Sequence, residues 1–290
     1  MGYRPFRVTI GGVSIEGQTH GYMPDGLYID WNTGVQGWFG TPDIKTRLTE
    51  RELGDGSFSV DNGSVTYSSR TVAIGVMAAG RTSDDVAALR RKLLALSHRI
   101  VRISVLDGDE ETCSEGYVSV EWGQVRRTKA QTGTLTIVCP DPRRYSTQAH
   151  VAYLRPSASS DMGLVYSSSG VLQLPLAYGG ETAAGAGTAT IANGGTATAY
   201  PVITLHGNVG HVSIRDVAGT GTLAYRGSAS ASAPVVLDCL SRTASVNGVD
   251  VTRNLVQRTW PSIPAGGSIT LSCTGQGDGY IEVVSHDTYI

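Results

Sequence analysis

The chain is poor in the residues that build catalytic and metal sites. Among 290 residues there are only four cysteines and six histidines. No cysteines form a C-x-x-C pair, no histidines have the H-x-H or H-E-x-x-H spacing of metal sites, and no serine lies in a G-x-S-x-G elbow. The sequence therefore predicts no catalytic residue, no metal site and no cofactor. We interpret Cys113, Cys139, Cys239 and Cys273 as small core residues, with a Cys239–Cys273 disulfide left open as an alternative.

An excess of positive charge and long hydrophobic runs are also missing. The formal net charge is −2, so no overall basic field recruits nucleic acid or an anionic membrane. No apolar run approaches the roughly 20 residues of a membrane span. The start, Met1 to Arg7, lacks the apolar core of a signal peptide. We expect no membrane partner and synthesis in the cytoplasm.

Glycine is abundant and charge is distributed unevenly. The 37 glycines favour turns and short strands over helices. Residues 1–145 hold 17 of the 23 Lys and Arg and 17 of the 25 Asp and Glu, which leaves 6 and 8 for the rest. A chain of this length fits two domains. Because residues 146–170 are rich in Ser and Ala, we predict an N-terminal domain over 1–145, a linker or arm over 146–174 and a C-terminal domain over 175–290.

The first half has the pattern of strands interrupted by one helix. Thr82-x-x-Asp85 has the spacing of a capping box, so a helix is predicted to begin at Thr82 or Ser83. Its apolar stripe consists of Val86, Leu89, Leu93 and Leu96. Glu115–Trp122 and Thr132–Cys139 alternate and predict a hairpin. The half as a whole indicates an α+β domain with a bent sheet or split barrel.

The second half shows short strands and turns without a convincing helix. Pro201–Leu205 alternates between two faces, and Thr243–Val246 runs into Asn247-Gly248, a dipeptide typical of tight hairpin turns. Such regular spacing of short strands predicts a β-sandwich or barrel, so the protein should be mainly β.

Two groups of side chains are candidates for interaction. Trp31, Trp38 and Phe39 could stack on sugar rings, but packing within the fold or at a subunit interface is the favoured interpretation, because Trp is enriched at interface centres. Arg126, Arg127 and Lys129 lie on a predicted hairpin loop. In one copy they indicate a solvated tip, whereas a ring of copies would turn them into a positive belt facing a channel.

Five segments, in this order along the chain, support a family resemblance. They are Trp38-Phe-Gly40, Leu53-Gly-Asp-Gly56, Asp141-Pro-Arg-Arg-Tyr145, Asn193-Gly-Gly-Thr196 and Trp260-Pro-Ser-Ile-Pro-Ala-Gly266. Together they resemble the distal tail proteins of siphophages, the Dit-like hubs of the tail tip within the phage minor tail proteins.

The resemblance implies a structural virion protein without enzymatic activity. It implies a ring-forming, tail-tube-like N-terminal domain and a galectin-like C-terminal β-sandwich. The homo-oligomer would be a hexameric ring at the phage tail tip, joining the tail tube to the tip or fibre complex. Its partners would be the major tail tube protein, a tail-tip or tail-associated protein and the tape measure protein, with DNA passing transiently and non-specifically through an axial channel.

A second function stays open at this point. A sandwich of this kind could be a carbohydrate-binding, receptor-recognition module of the tail tip. Trp260 would be its aromatic platform, although the neighbouring Pro261 favours a buried edge turn instead.

Overall fold

The chain forms two compact units, each with its own hydrophobic core. The computed structural model describes residues 6–17, 25–45, 49–58, 65–123, 129–156, 187–219 and 221–290. The first unit comprises Met1–Gln148 and Tyr289–Ile290, and the second comprises Ala149–Thr288. Residues 146–154 of the predicted linker continue a strand, while residues 157–174 lie outside the described ranges.

The first unit is a β-barrel with one helix. Its strands are β1 Phe6–Ile10, β2 Val13–Glu16, β3 Gly26–Ile29, β4 Val35–Gln36, β5 Arg70–Ala79, β6 Ile100–Asp107, β7 Glu110–Trp122, β8 Ala130–Cys139 and the beginning of β9 Arg144–Leu154. Hydrogen-bonded neighbours run β7-β6-β1-β2-β3-β5, and β8 pairs with both β5 and β7. Because this order returns to β7, the sheet closes on itself and leaves few free edges. The predicted α+β class with a barrel-like sheet is confirmed.

Helix α1, Ser83–Leu94, begins where the capping box predicts. The Thr82 hydroxyl accepts a hydrogen bond from the Asp85 amide at 3.2 Å, and the Asp85 carboxylate accepts one from the Thr82 amide at 2.8 Å. The Thr82 hydroxyl also donates to the Asp85 carboxylate at 2.7 Å, and this bond, followed by the one from the Thr82 amide, lowers the pKa of Asp85, which keeps the carboxylate charged at the positive end of the helix. Val86, Leu93 and Leu96 are buried, so the predicted stripe is the face that packs on the barrel.

The second unit consists of two sheets around one core. Its strands are the end of β9, then β10 Thr188–Asn193, β11 Val202–His206, β12 Val209–Asp216, β13 Thr222–Ala229, β14 Val235–Asp238, β15 Thr243–Val246, β16 Val249–Asp250, β17 Leu255–Thr259, β18 Gly267–Gly277 and β19 Tyr280–Tyr289, with one 3-10 turn at Thr252–Asn254. One sheet has the order β16-β15-β14-β11-β19-β9 and the other β10-β18-β12-β13-β17. Inward residues of both sheets share a single apolar cluster, the arrangement of a β-sandwich.

The turn between β15 and β16 follows the sequence directly. Asn247 and Gly248 both have positive φ, 48° and 80°, as a two-residue hairpin turn requires. None of the helices in the described ranges is long and apolar enough to cross a membrane.

Candidate interaction surfaces

The three aromatic candidates of the first unit lie in different environments. Trp38 is fully buried, and its indole Nε1 donates a hydrogen bond to the Thr112 hydroxyl at 3.3 Å. Trp31 and Phe39 are 65% and 54% exposed. The Phe39 ring lies beside that of Phe6, with the ring centroids 6.4 Å apart. Trp38 is therefore a core residue of the unit, whereas the side chains of Trp31 and Phe39 are largely exposed to solvent.

A buried arginine holds the loop that carries Trp38 and Phe39. Arg70 is 1% exposed, and its guanidinium donates to the carbonyl oxygens of Gly37 at 2.7 Å, Trp38 at 3.0 Å and Gly40 at 2.7 Å. Its Nε donates to the carbonyl of Pro142 at 2.8 Å. The rigid fork of one arginine thus connects residues 37–40 to the segment between β8 and β9.

The charge of Arg70 is buried, and no carboxylate bonds to it within the described residues. Burial first, and then the nearby positive charge of Arg144, lower the pKa of Arg70 to about 10. It remains protonated at neutral pH, so four carbonyl dipoles stabilise a full positive charge.

Residues 43–68, here called the 43–68 arm, expose large apolar side chains. In its described parts, the amides of Lys45 and Phe58 donate to the carbonyls of Thr66 at 2.8 Å and Thr49 at 2.9 Å, so these described residues pair locally. Leu53 is 93% exposed at the tip, which turns through positive φ at Gly54 and Gly56. Ile44, Phe58 and Val65 are exposed as well. Exposed apolar side chains grouped in this way are typical of a surface that a partner covers.

The predicted basic loop lies between β7 and β8. Lys129 is exposed at its end, and its carbonyl accepts a hydrogen bond from the Gly80 amide at 2.9 Å. Arg126 and Arg127 lie outside the described residues. A channel-facing role of this loop therefore stays a prediction.

Asn193, at the end of β10, organises the Asn-Gly-Gly turn of the second unit. Its side chain is 1% exposed, and its amide nitrogen bonds the carbonyls of Ala197 at 2.8 Å and Pro264 at 3.2 Å. Its side-chain oxygen accepts from the amides of Gly195 at 3.0 Å and Thr288 at 3.1 Å. Every polar atom of this buried amide has a partner, and the turn is thereby joined to β19 and to the segment before β18.

Both glycines of the same turn have a steric or polar role. A Cβ on Gly195 would overlap the backbone of Thr288, so only glycine allows this approach. The Gly194 amide donates to the Asp287 carboxylate at 2.6 Å, and the same carboxylate lies 3.0 Å from His150 Nε2. The turn is therefore held against β19, and the Asp287 carboxylate that holds it also contacts His150 of β9.

Four side chains meet on the solvent-exposed face of the β11-β19-β9 sheet. His206 and Tyr280 stack with ring centroids 4.8 Å apart, and Tyr153 lies edge-on to Tyr280 at 6.0 Å. Glu282 lies beside them: one carboxylate oxygen is 3.0 Å from His206 Nε2, and the other accepts from the Tyr153 hydroxyl at 3.4 Å. The charge of Glu282 is the largest cause of a raised pKa at Tyr153. We call these four residues the aromatic platform.

Trp260 is not part of an exposed platform. It is half-buried and packs against the core of the sandwich, and Pro261 next to it is buried. This is the packing arrangement that the Trp-Pro pair indicated.

Among the described residues, no group of three His, Cys, Asp or Glu side chains could hold a metal ion. All four cysteines are free thiols and buried, so Cys239 and Cys273 do not pair. Burial raises the pKa of each thiol, to about 12 for Cys273.

We expect the four thiols of the folded protein to resist modification, because the reactive thiolate form is suppressed in each of them. With Ellman's reagent at pH 8, the native chain should release less than one equivalent of thionitrobenzoate, and the urea-unfolded chain four. Rapid native release of two or more equivalents would contradict the burial of these residues.

The sequence did not predict the roles of the buried Arg70 and the buried Asn193 side chain. It did not predict the aromatic platform either. Arg70 has no motif around it, and its four acceptors are main-chain atoms that any residue supplies. The platform draws on three strands distant in the chain, so its members are scattered singly through the sequence. Only Asn193 had a local signal, since it precedes two glycines.

Comparison with protein-family models and with curated protein sequences finds no match. Among the solved structures that are similar to this chain, two match it over nearly its whole length. One is the crystal structure of SPP1 Dit (gp 19.1), described as a paradigm of the hub adsorption apparatus in phages that infect Gram-positive bacteria. It is 14% identical to this chain with a TM-score of 0.62, and the match covers 98% of this chain and 99% of the other. The other is the phage P2 baseplate in its activated conformation with Ca, with 9% identity, a TM-score of 0.50 and coverage of 97% and 98%. At this identity the similarity shows the fold, and the resemblance predicted from the sequence is confirmed at that level.

Proposed function

We propose that the chain is a structural protein of a phage virion, a distal tail hub that joins the tail tube to the tip or fibre complex. The observation that carries the proposal is the match of fold, in both units, to a protein described as a hub of an adsorption apparatus. A chance likeness of one domain would not extend over 98% of this chain and 99% of the other. Fold alone does not specify function, so the surfaces must also fit the role.

The 43–68 arm supports assembly of several copies through the first unit. Leu53 is almost fully exposed, and Phe58 and Ile44 of the same arm are also exposed. Such side chains are costly in water and are stabilised when a partner buries them. A second copy of the chain is the partner that we assign, because a hub must present equivalent surfaces around an axis. In this proposal residues 1–145 form a hexameric ring, and residues 175–290 form a galectin-like domain.

An axial channel for DNA completes the proposed hub. The net charge of −2 suits passage of a polyanion without capture. The loop with Arg126, Arg127 and Lys129 would supply a limited positive belt if it faces that channel. The major tail tube protein would bind on one side of the ring, and the tail-tip and tape measure proteins on the other. We assign the protein no enzymatic activity and place it in the virion, at the tail tip.

The assembly is tested by mass measurement and by localisation. Sedimentation equilibrium of the full chain should give six times the 30.5 kDa chain mass at high concentration. Antibody against the chain should label the tail tips of virions in electron micrographs. A strict monomer at every concentration, together with unlabelled tails, would overturn the proposal.

The role of the arm is tested by charge substitution at its tip. Leu53→Asp should weaken self-association at least tenfold, because a carboxylate would have to be desolvated in the interface. The matched control is Val256→Asp, an exposed valine on β17 of the second unit, which should associate as the wild type does. Equal association of both variants would exclude the arm as the ring contact.

A further inference from the structure

The aromatic platform has the layout of a binding site rather than of a core. Tyr153, His206 and Tyr280 come from three adjacent strands, in the order β11-β19-β9, with Tyr280 in the middle. His206 and Tyr280 are direct cross-strand partners, as are Thr204 and Glu282 in the next row. A row of rings thus lies beside a row of hydrogen-bonding groups on one exposed sheet face.

The rings of the platform are not equally available. His206 stacks on one face of Tyr280, and Tyr153 lies at an angle to the same ring, but Tyr280 remains 42% exposed. Tyr153 is 59% exposed, so its ring is the most open surface of the row. Glu282 holds both flanking residues in place through its two oxygens. Since a carboxylate has about four acceptor positions, each oxygen can accept one more hydrogen bond.

We propose that this platform binds a neutral sugar ring, stacked on Tyr153 with its hydroxyl groups donating to Glu282. The C–H face of a pyranose is apolar and flat, and the hydroxyls at its edge are donors, so one ligand satisfies both features of the site. Thr204, across from Glu282, supplies a further hydroxyl within the same surface. The Trp260 site considered from the sequence is a different place, and it is half-buried.

The charge of the platform selects against other ligands. Glu282 lies beside His206, which compensates its charge only when the imidazole is protonated, and no lysine or arginine among the described residues pairs with it. A sialic acid, a uronic acid or a phosphosugar would therefore meet a carboxylate of the same charge. An organic cation such as a quaternary ammonium prefers several open aromatic faces. Here His206 stacks on one face of Tyr280, which leaves fewer open faces than such a cation prefers.

The inference does not rest on the proposed hub function. A ring could assemble through the first unit without any sugar contact, and the sheet face could bind a sugar in a protein that forms no ring. If the hub function holds as well, the platform would give the tail tip a weak contact with surface glycans, strengthened by the number of copies.

Saturation-transfer NMR on the full-length protein tests the site. The probes are methyl glucoside, methyl galactoside and N-acetylglucosamine, each at millimolar concentration. We expect saturation transfer to the ring C–H protons of at least one of them. Tyr153→Ala should weaken that sugar at least tenfold by removing the stacking surface, and Glu282→Gln about tenfold by removing the charge-assisted acceptor.

The control is Tyr117→Ala, a 51% exposed tyrosine on β7 of the first unit, which should leave binding unchanged. Circular dichroism checks that each variant is folded. Absence of transfer to all three sugars would overturn the proposal, as would equal weakening by Tyr117→Ala. Tetramethylammonium chloride is tested as an alternative ligand. If it binds in a Glu282-dependent manner and the sugars do not, the site is a cation site and the proposal is wrong.

Discussion

Replacement of Arg70 by methionine should destabilise the first unit by about 3 kcal/mol or more. Methionine fills a similar volume but leaves the carbonyls of Gly37, Trp38, Gly40 and Pro142 without their buried donor. A hydrogen bond to a charged group contributes about 1.5–3 kcal/mol, and the four are not additive because they share one side chain. The result would be seen as a lower urea midpoint for the transition of the first unit.

The same variant should expose the loop that Arg70 anchors. Amide exchange at residues 37–40 should accelerate in Arg70→Met before global unfolding, since these residues lose their tie to the segment after β8. Arg70→Lys keeps the charge but not the planar fork, so we expect an intermediate loss. Arg91→Met, on the exposed side of α1, is the control and should change stability by less than about 0.5 kcal/mol. If Arg70→Met and Arg91→Met unfold at the same urea concentration, the anchoring role is wrong.

Asn193→Asp should destabilise the second unit by about 3 kcal/mol at neutral pH, although it changes a single atom. The new oxygen would replace the nitrogen that now donates to the carbonyls of Ala197 and Pro264. Buried oxygens would then face each other, and an uncompensated charge would lie in the interior. The bonds that Asn193 accepts from Gly195 and Thr288 would remain, so the fold should survive in a weakened form.

The pH dependence of this variant has a defined sign. Burial and nearby carbonyls would raise the pKa of the introduced carboxyl above its unfolded value, so the folded state binds the proton more tightly. Stability then falls as pH rises between the unfolded and folded pKa values, and the deficit relative to wild type should be larger at pH 8 than at pH 5. Thermal unfolding at the two pH values measures it. Asn208→Asp, in an exposed turn, is the control. An equal loss of stability in both variants, or a loss that does not depend on pH, would contradict the role of Asn193 as the buried amide that organises the turn.

Much of the fold could be predicted from local patterns in the sequence. The Thr82-x-x-Asp85 box marked the start of α1, and Asn247-Gly248 marked the turn between β15 and β16, because both depend on residues adjacent in the chain. The structure of residues 146–154 was harder to predict from local sequence. They are rich in small and polar residues that suggested a linker, yet they continue β9, because pairing with neighbouring strands outweighs weak local preference.

The sequence by itself determined the class of the protein: mainly β, one capped helix, no metal or nucleophile motif, and a chain-long order of segments that resembles a tail hub. Tertiary structure alone decided which side chains act together. It buried Trp38 and left Phe39 exposed one residue later, and it gave Arg70 four carbonyl acceptors. The platform likewise exists only in the folded sheet, since Tyr153 and Tyr280 are distant in sequence. The physical reason is the distance along the chain over which each interaction acts. Capping and turns join residues close in sequence, whereas burial and cross-strand contacts depend on which strands become neighbours.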